Sequence, residues 1–407
     1  MKTRSSTRSL NVAFFLAVKA ITRGNVGVTV LTVAMLILAN LSLMFVPSLI
    51  KGVIFSANKK QVDTNSSNII IETMGDNPII TRRNDLIDRI ELIDGVTGVT
   101  YRDSISAEIK CDNEHVSRMV YGISPEREKE VFTIHNYVFE GRYLNERDRG
   151  EILLGVQIAG ADRREIELYS SSLKHVHAGD RVTVTYANGV VRQYKVKGIF
   201  YCQFIQTDIQ AFVTDLEMSS VNQIGQNHAT SIHVKITDDG EADRIIDEIA
   251  AYRNDLRFKT WDEVAGVIGS MTQSFDLIGA ILNIMNLLVA GITVFIVTYI
   301  DLVHKRRQIG IQRAIGITPT AITISYVIRA LFYALMATIL AWVLYKYVAV
   351  PLEHRYPFRF PFGDVALYTS PRLFGQVASI VAVVAIGAAF IPTWRTMRIK
   401  LLDAIWG

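Results

Sequence analysis

The chain has 407 residues, half of them apolar and 20% charged, with a formal net charge of +4. This is more apolar and less charged than an ordinary soluble protein, and long enough for a membrane bundle plus a soluble domain. The basic residues cluster as Lys2, Arg4, Arg8, Lys19 and Arg23, as Lys305, Arg306, Arg307 and Arg313, and as Arg395, Arg398 and Lys400. Each cluster abuts an uncharged apolar run, which argues against nucleic acid as a partner and for the flanks of membrane spans.

Residues 1–25 read as an N-terminal amphipathic helix lying on the cytoplasmic membrane surface, with Val12, Phe15, Leu16, Lys19 and Arg23 along it. Residues 26–50 carry no charged side chain and suffice to cross about 30 Å of hydrocarbon. No small-residue cleavage site precedes Lys51, so this run is an uncleaved anchor, not a signal peptide. Further spans fall at 277–300, 321–350 and 373–392, the last closed by Pro392. The third contains Arg329 and Lys346, which are expected to snorkel to opposite interfaces, with Tyr326, Trp342, Tyr345 and Tyr347 as interfacial belts. The fold class is therefore a four-helix membrane protein with an inserted α+β extracytoplasmic domain at 51–276. The basic segments (the N-terminus, 301–320 and the tail 393–407) lie on one side, which the positive-inside rule makes cytoplasmic. The loop 351–372, with its Pro357-Phe-Arg-Phe-Pro-Phe run, then faces outward as an aromatic interfacial anchor or a cargo contact.

Within 51–276, strands are predicted at 68–73, 99–109, 231–236 and 257–261, and helices at 83–93, 151–160 and 241–252. The strongest local signal is Val182-Thr-Val-Thr-Tyr, an Ala-Asn-Gly turn, then Val190 to Phe200, a hairpin. Chemistry is sparse. His115, His135, His175, His177, His228 and His233 show no metal-ligand spacing, and there is no nucleophile elbow, so no catalytic or metal-binding residue is expected. Asn65-Ser-Ser is a formal glycosylation sequon. Cys111 and Cys202 are either one bridge or two free thiols. In the spans, Asn283 and Asn286 are the polar exceptions, candidates for hydrogen bonding at a dimer seam.

The segment after the second span is a short basic amphipathic helix with Ile309, Ile311 and Ile315, ended by Gly316 and followed by Pro319. Its stretch His304-Lys305-Arg306-Arg307-Gln308-Ile309-Gly310-Ile311-Gln312-Arg313-Ala314-Ile315-Gly316 resembles the loop of FtsX-like/MacB-type ABC-transporter permeases, including the lipoprotein-releasing permeases. Gln308 stands where that family often has an acidic residue. The one-plus-three span layout, the tail from Pro392 and the Gly179 to Phe200 hairpin resemble the family too.

The resemblance implies a non-catalytic permease subunit that pairs with a second copy or a paralogue. It would dock on a separate cytoplasmic ABC ATPase through His304, Lys305, Arg306, Arg307, Gln308, Ile309, Gly310, Ile311, Arg313 and Gly316. ATP and Mg would be bound by that ATPase, and this chain would need no cofactor of its own; it has no G-x-x-x-x-G-K-[ST] loop. Closure of the ATPase would move the outer domain against a lipoprotein, an envelope protein or an extruded compound at the cell membrane, in contact with lipid. A membrane-anchored sensor or scaffold is the alternative that topology alone permits. A membrane-embedded hydrolase lacks its motif.

Overall fold

The computed structural model describes residues 2–23, 26–74, 79–160, 166, 168–222, 225, 227–264, 266–360 and 363–398. Two compact units emerge: Met1–Val53 with Thr272–Phe358 and Val365–Gly407, and Ile54–Met271 with Arg359–Asp364.

Helix α1 (Lys2–Thr22) precedes α2 (Val26–Lys60), which runs ten residues past the end of the uncharged stretch before a π-helical turn at Gln61–Ser66. Lys51 ends an apolar run without ending a helix, because a charged side chain costs burial in lipid and not helical geometry.

The inserted domain follows in chain order. Its first part is β1 (Ile69–Thr73), β2 (Ile80–Thr81), α3 (Arg83–Ile90), β3 (Val96–Cys111), β4 (Glu114–Ile123), α4 (Pro125–Val131) and β5 (Val138–Gly141). Next are β6 (Glu151–Gly155), α5 (Val156–Ala159), β7 (Arg181–Tyr186), β8 (Val191–Phe200), α6 (Ile205–Asp208), β9 (Ala211–Thr214) and α7 (Asp215–Asn222). It closes with β10 (His228–Ala229), β11 (Ser231–Ile236), α8 (Ala242–Tyr252), β12 (Leu256–Thr260) and α9 (Trp261–Val264).

One ten-stranded sheet takes the order β12-β1-β11-β3-β4-β9-β6-β8-β5, with β7 joining β3 and β8. Strand β3 ties it together: Val96–Arg102 pairs with β11, Arg102–Cys111 with β4, and Ala107–Lys110 with β7. The hairpin turn is as predicted, with Gly189 at φ +83° and the Gly189 amide donating to the Tyr186 carbonyl at 2.9 Å.

The helix predicted at 151–160 is instead strand β6 and one helical turn. It lies between β8 and β9. Leu154 enters one apolar cluster and its neighbour Leu153 another, so the run is apolar on both faces and shows no alternation. Cys111 and Cys202 are both free, the first half-buried and the second fully buried. Asn65 is held inside the domain, donating to Gln61 Oε1 at 3.3 Å and accepting from Gln210 Nε2 at 2.8 Å.

The remaining elements are α10 (Gly266–His304), α11 (Arg306–Ala314), α12 (Pro319–Leu344), a π-helical segment Tyr345–Ala349, α13 (Val350–Arg355), β13 (Phe358–Phe360), β14 (Gly363–Val365) and α14 (Pro371–Met397). Pro361 and Phe362 of the aromatic loop, and tail residues 399–407 including Lys400, lie outside the described residues. Among the described residues four helices, within α2, α10, α12–α13 and α14, are long and apolar enough to cross a membrane. Helix α14 does not stop at Pro392, which is buried within it; the Thr393 hydroxyl donates to the Ala389 carbonyl at 2.6 Å and Thr396 to the Pro392 carbonyl at 2.8 Å.

Helices α12 and α14 meet along a seam of small residues: Ala330, Ala334, Ala337 and Ala341 on one, Val377, Val381, Ala385 and Ala389 on the other. Side chains this small let the backbones approach, which is what packing in lipid rewards. Helix α2 is joined to α12 by polar contacts. Asn40 Nδ2 donates to Thr338 Oγ1 at 3.1 Å, Thr29 and Tyr333 hydroxyls lie 3.3 Å apart, and Ser48 bonds the Tyr345 hydroxyl. Tyr326 and Tyr345 are therefore interior residues and not interfacial belts; of the four aromatics named from the sequence, Tyr347 is the exposed one.

Candidate coupling site

The segment that carries the sequence signal is built by two caps. Ile317 N donates to Gln312 O at 3.0 Å and Gly316 N to Arg313 O at 3.1 Å, with Gly316 at φ +96°. That is a Schellman closure of α11, and it needs a residue tolerant of positive φ. Two residues on, the Thr318 hydroxyl accepts from the Ala321 amide at 3.3 Å and Pro319 opens α12. Helix α11 is thus joined to α12 by a short capped turn, and to α10 through the single residue Lys305.

Its faces divide sharply. Ile309 is 5% exposed and, with Leu302, Ile322, Tyr326 and Met397, forms a separate small core at this end of the bundle, against which Ile317 packs. Gly310 is buried beside it. Arg307, Ile311 and Ile315 at the helix's C-cap are exposed four residues apart and make one stripe, with exposed Gln308 beside it; His304 is exposed at the end of α10. Ile311 is 50% and Ile315 74% exposed. Lys305, Arg306 and Arg313 are half-buried at the sides. Of the residues named from the sequence, then, Ile309 and Gly310 hold the helix in place, while the stripe presents basic and apolar groups outward.

The sequence predicts Arg329 to be a snorkelling cation. The structure places it inside, 9% exposed, ion-paired to Asp301 and with its guanidinium 4.6 Å from the Tyr326 ring. Asp301 also accepts Lys305 at 3.0 Å. An arginine at this depth is costly unless paired, and the partner sits 28 residues away at the far end of α10. The pair locks α12 to the joint that carries α11. The signal that could have exposed it is sparse acidity: Asp301 is the one carboxylate between Asp276 and Glu353.

Asn283 lines a groove with Leu43, Pro47, Leu373 and Val377, and its Oδ1 is buried without a hydrogen-bond partner among the described residues. Asn286 is half-buried three residues on. Most of α10 around them is bare: Ile281, Met285, Leu288 and Ile292 are each more than half exposed.

In the inserted domain the titratable groups are structural. Arg102 and Glu128 are buried (2% and 1%) and joined at 2.6 Å, with Thr100 Oγ1 donating to the second carboxylate oxygen at 3.2 Å. Burial pushes the Glu128 carboxyl up while Arg102 opposes that shift. Burial and the nearby Arg102 charge pull His233 down to about 3; its Nδ1 lies 3.0 Å from the Ser66 carbonyl. Asp208 is raised to about 7 by burial, although it accepts from the Cys202 and Phe204 amides at 2.7 and 3.0 Å. His177 stands 3.2 Å from Glu140. Among the described residues no three His, Cys, Asp or Glu side chains converge as a metal site would require.

Comparison with known proteins bears on the same region. Residues 280–401 match the family described as FtsX-like permease C-terminal. Escherichia coli O157:H7 has a macrolide export ATP-binding/permease protein, MacB, 24% identical over 189 residues, covering 45% of this chain and 28% of MacB. An uncharacterized ABC transporter permease of Methanocaldococcus jannaschii is 21% identical over 274 residues, 66% of this chain and 65% of that one. The chain thus spans under a third of MacB and under two thirds of the archaeal permease. Among solved structures, the periplasmic region of MacB from Actinobacillus actinomycetemcomitans aligns with 52% of this chain and 96% of its own, at 17% identity and a TM-score of 0.34. The extracellular domain of the transporter YknZ aligns with 47% and 100%, at 13% identity and the same score. Residues 280–401, which contain helix α11 and both Asp301 and Arg329, match the FtsX-like permease C-terminal family model, and the chain is similar to ABC-transporter permeases of the FtsX/MacB type.

Proposed function

We propose that this permease is the non-catalytic membrane subunit of a transporter in which a separate ATPase pushes on α11. The single observation that supports the reading is the division of α11: one face buried in the bundle, the other a bare stripe of Arg307, Ile311 and, at its end, Ile315. A helix resting on its own bundle has no need to leave two isoleucines uncovered, whereas a docking surface does. On this reading α11, the N-terminus and the tail are cytoplasmic and the inserted domain lies outside the cell membrane. The uncovered length of α10 is the surface for a second copy or a paralogue. Export or extraction of a lipophilic or lipoprotein cargo, or efflux, is the work such movement would do.

The test separates the two faces. Ile311→Asp with Ile315→Asp should abolish co-purification of an ATPase subunit and stimulated ATP hydrolysis, at least tenfold, with thermal unfolding of the permease unchanged. Ile309→Asp should instead destabilise the permease itself. Retained capture and stimulation in the double variant would refute the coupling role.

A further inference from the structure

Between α1, α11 and α12 lies a cavity of about 340 Å³. Its lining includes four cations from three parts of the chain: Lys19 of α1 with Arg23 just past its end, Lys305 from the α10–α11 joint, and Arg329 of α12. Gln308, Gln312 and Tyr326 add hydrogen-bonding groups. The facing carboxylate is Asp301, already shared by Arg329 and Lys305. Among the described residues it leaves the α1 cations without a carboxylate partner: no Asp or Glu occurs before Asp63, nor between Asp301 and Glu353. Lys19 and Arg23 form no salt bridge among the described residues, and Lys19 Nζ sits 5.9 Å over the Phe15 ring. Several cations gathered around one concave space, with a deficit of acid, are chemistry for an oxyanion.

We propose that this cavity binds the phosphate of an anionic phospholipid headgroup. A free phosphate would satisfy the same cations, but the surroundings favour a ligand with chains. Leu16 and Ile322 lie in the wall, and α1 leaves Leu10, Phe14, Phe15 and Val18 uncovered (54, 60, 63 and 42% exposed). Acyl chains lying along that apolar flank bury surface that water would otherwise penalise, while the headgroup meets Lys19 and Arg23. Because Gln308 and Gln312 belong to α11, an occupied site ties α11 to α1, and the lipid becomes a strut for the helix. The inference does not rest on the coupling role, and its test needs no ATPase.

The full chain, purified in neutral detergent, is titrated with phosphatidylglycerol, with phosphatidylcholine and with inorganic phosphate alone, and bound ligand is read by native mass spectrometry. One phosphatidylglycerol should bind in preference to phosphatidylcholine. Lys19→Gln with Arg23→Gln should weaken it about 30-fold, from roughly a fivefold contribution per cation near a charged headgroup. Lys346→Gln, an exposed cation elsewhere on the bundle, should leave binding unchanged, and unfolding temperatures verify that all variants are folded. Equal binding of the two lipids, or full retention by the double variant, overturns the proposal. Inorganic phosphate that binds as tightly as the lipid or displaces it makes this a free-anion site and overturns the lipid assignment.

Discussion

The two units of this chain solve opposite packing problems. The inserted domain buries its large side chains, with Phe132, Phe200, Phe212, Tyr186 and Tyr194 at 2% exposure or less, and holds a buried ion pair at Arg102 and Glu128. The membrane unit turns many large apolar residues outward, Leu277, Ile284, Val383 and Ile391 among them, and its interior mixes Leu36, Met44 and Tyr345 with a high share of alanines and a few hydroxyl and amide groups. In water, hydrophobic burial drives association and rewards bulk inside. In lipid that drive is absent between helices, so close approach and hydrogen bonds decide the contact. The same residue type therefore means core in one unit and surface in the other.

This contrast can be broken most strongly at the ion pair. Glu128→Ala leaves Arg102 charged and buried among Phe132, Tyr121 and Phe212, and should destabilise the inserted domain by about 3–5 kcal/mol. Hydrogen exchange of β3 and β11 in the detergent-solubilised chain reads the effect. An apolar replacement of both partners should recover much of the loss, and if it does not, the pair contributes more than mutual compensation.

A somewhat smaller effect comes from His233. Its folded-state pKa of about 3 lies below the usual 6.5, so the folded domain excludes a proton that the unfolded chain accepts. That contribution is complete above pH 6.5 and fades as pH falls towards 3, by about 3 kcal/mol between pH 7 and pH 4. Asp208 and Asp103, raised to about 7 and about 6, act in the opposite sense over that range. The quantity to measure is therefore the difference between the parent and His233→Gln: the variant should lose less stability on acidification, and parallel pH profiles would contradict the assignment.

The smallest effect belongs to the membrane unit. Asn40→Leu removes the bond to Thr338 and should cost about 1 kcal/mol in a bilayer-mimetic unfolding titration. A loss as large as that for Glu128→Ala would mean that the two units obey the same energetics after all.

How much of this was legible in sequence follows the range of each interaction. The spans, the Val182 to Phe200 hairpin and the capped α11 rest on neighbours within a few residues, and their signals are local. Strand β6 misled because a strand covered on both faces loses its alternation, and at Glu151–Gly155 five residues cannot distinguish it from a helical turn. Strands β4 and β9 carried no distinctive turn and went unread. At the candidate site the sequence picked out the segment but not its sides: only the fold shows that Ile309 faces the bundle and Ile311 faces away.

Sequence alone determined which helices can cross a membrane, that a large domain interrupts them after the first, and that a basic, glycine-ended helix lies between the second and third. Each of these depends on composition over one stretch of chain. Tertiary structure decided that Arg329 is paired rather than snorkelling, that Lys19, Arg23 and Lys305 share one cavity with it, and that Arg102 and Glu128 sit together in the domain. Those facts join residues 26 to over 300 positions apart, and the energy of a charge depends on what surrounds it in space, which no local pattern encodes.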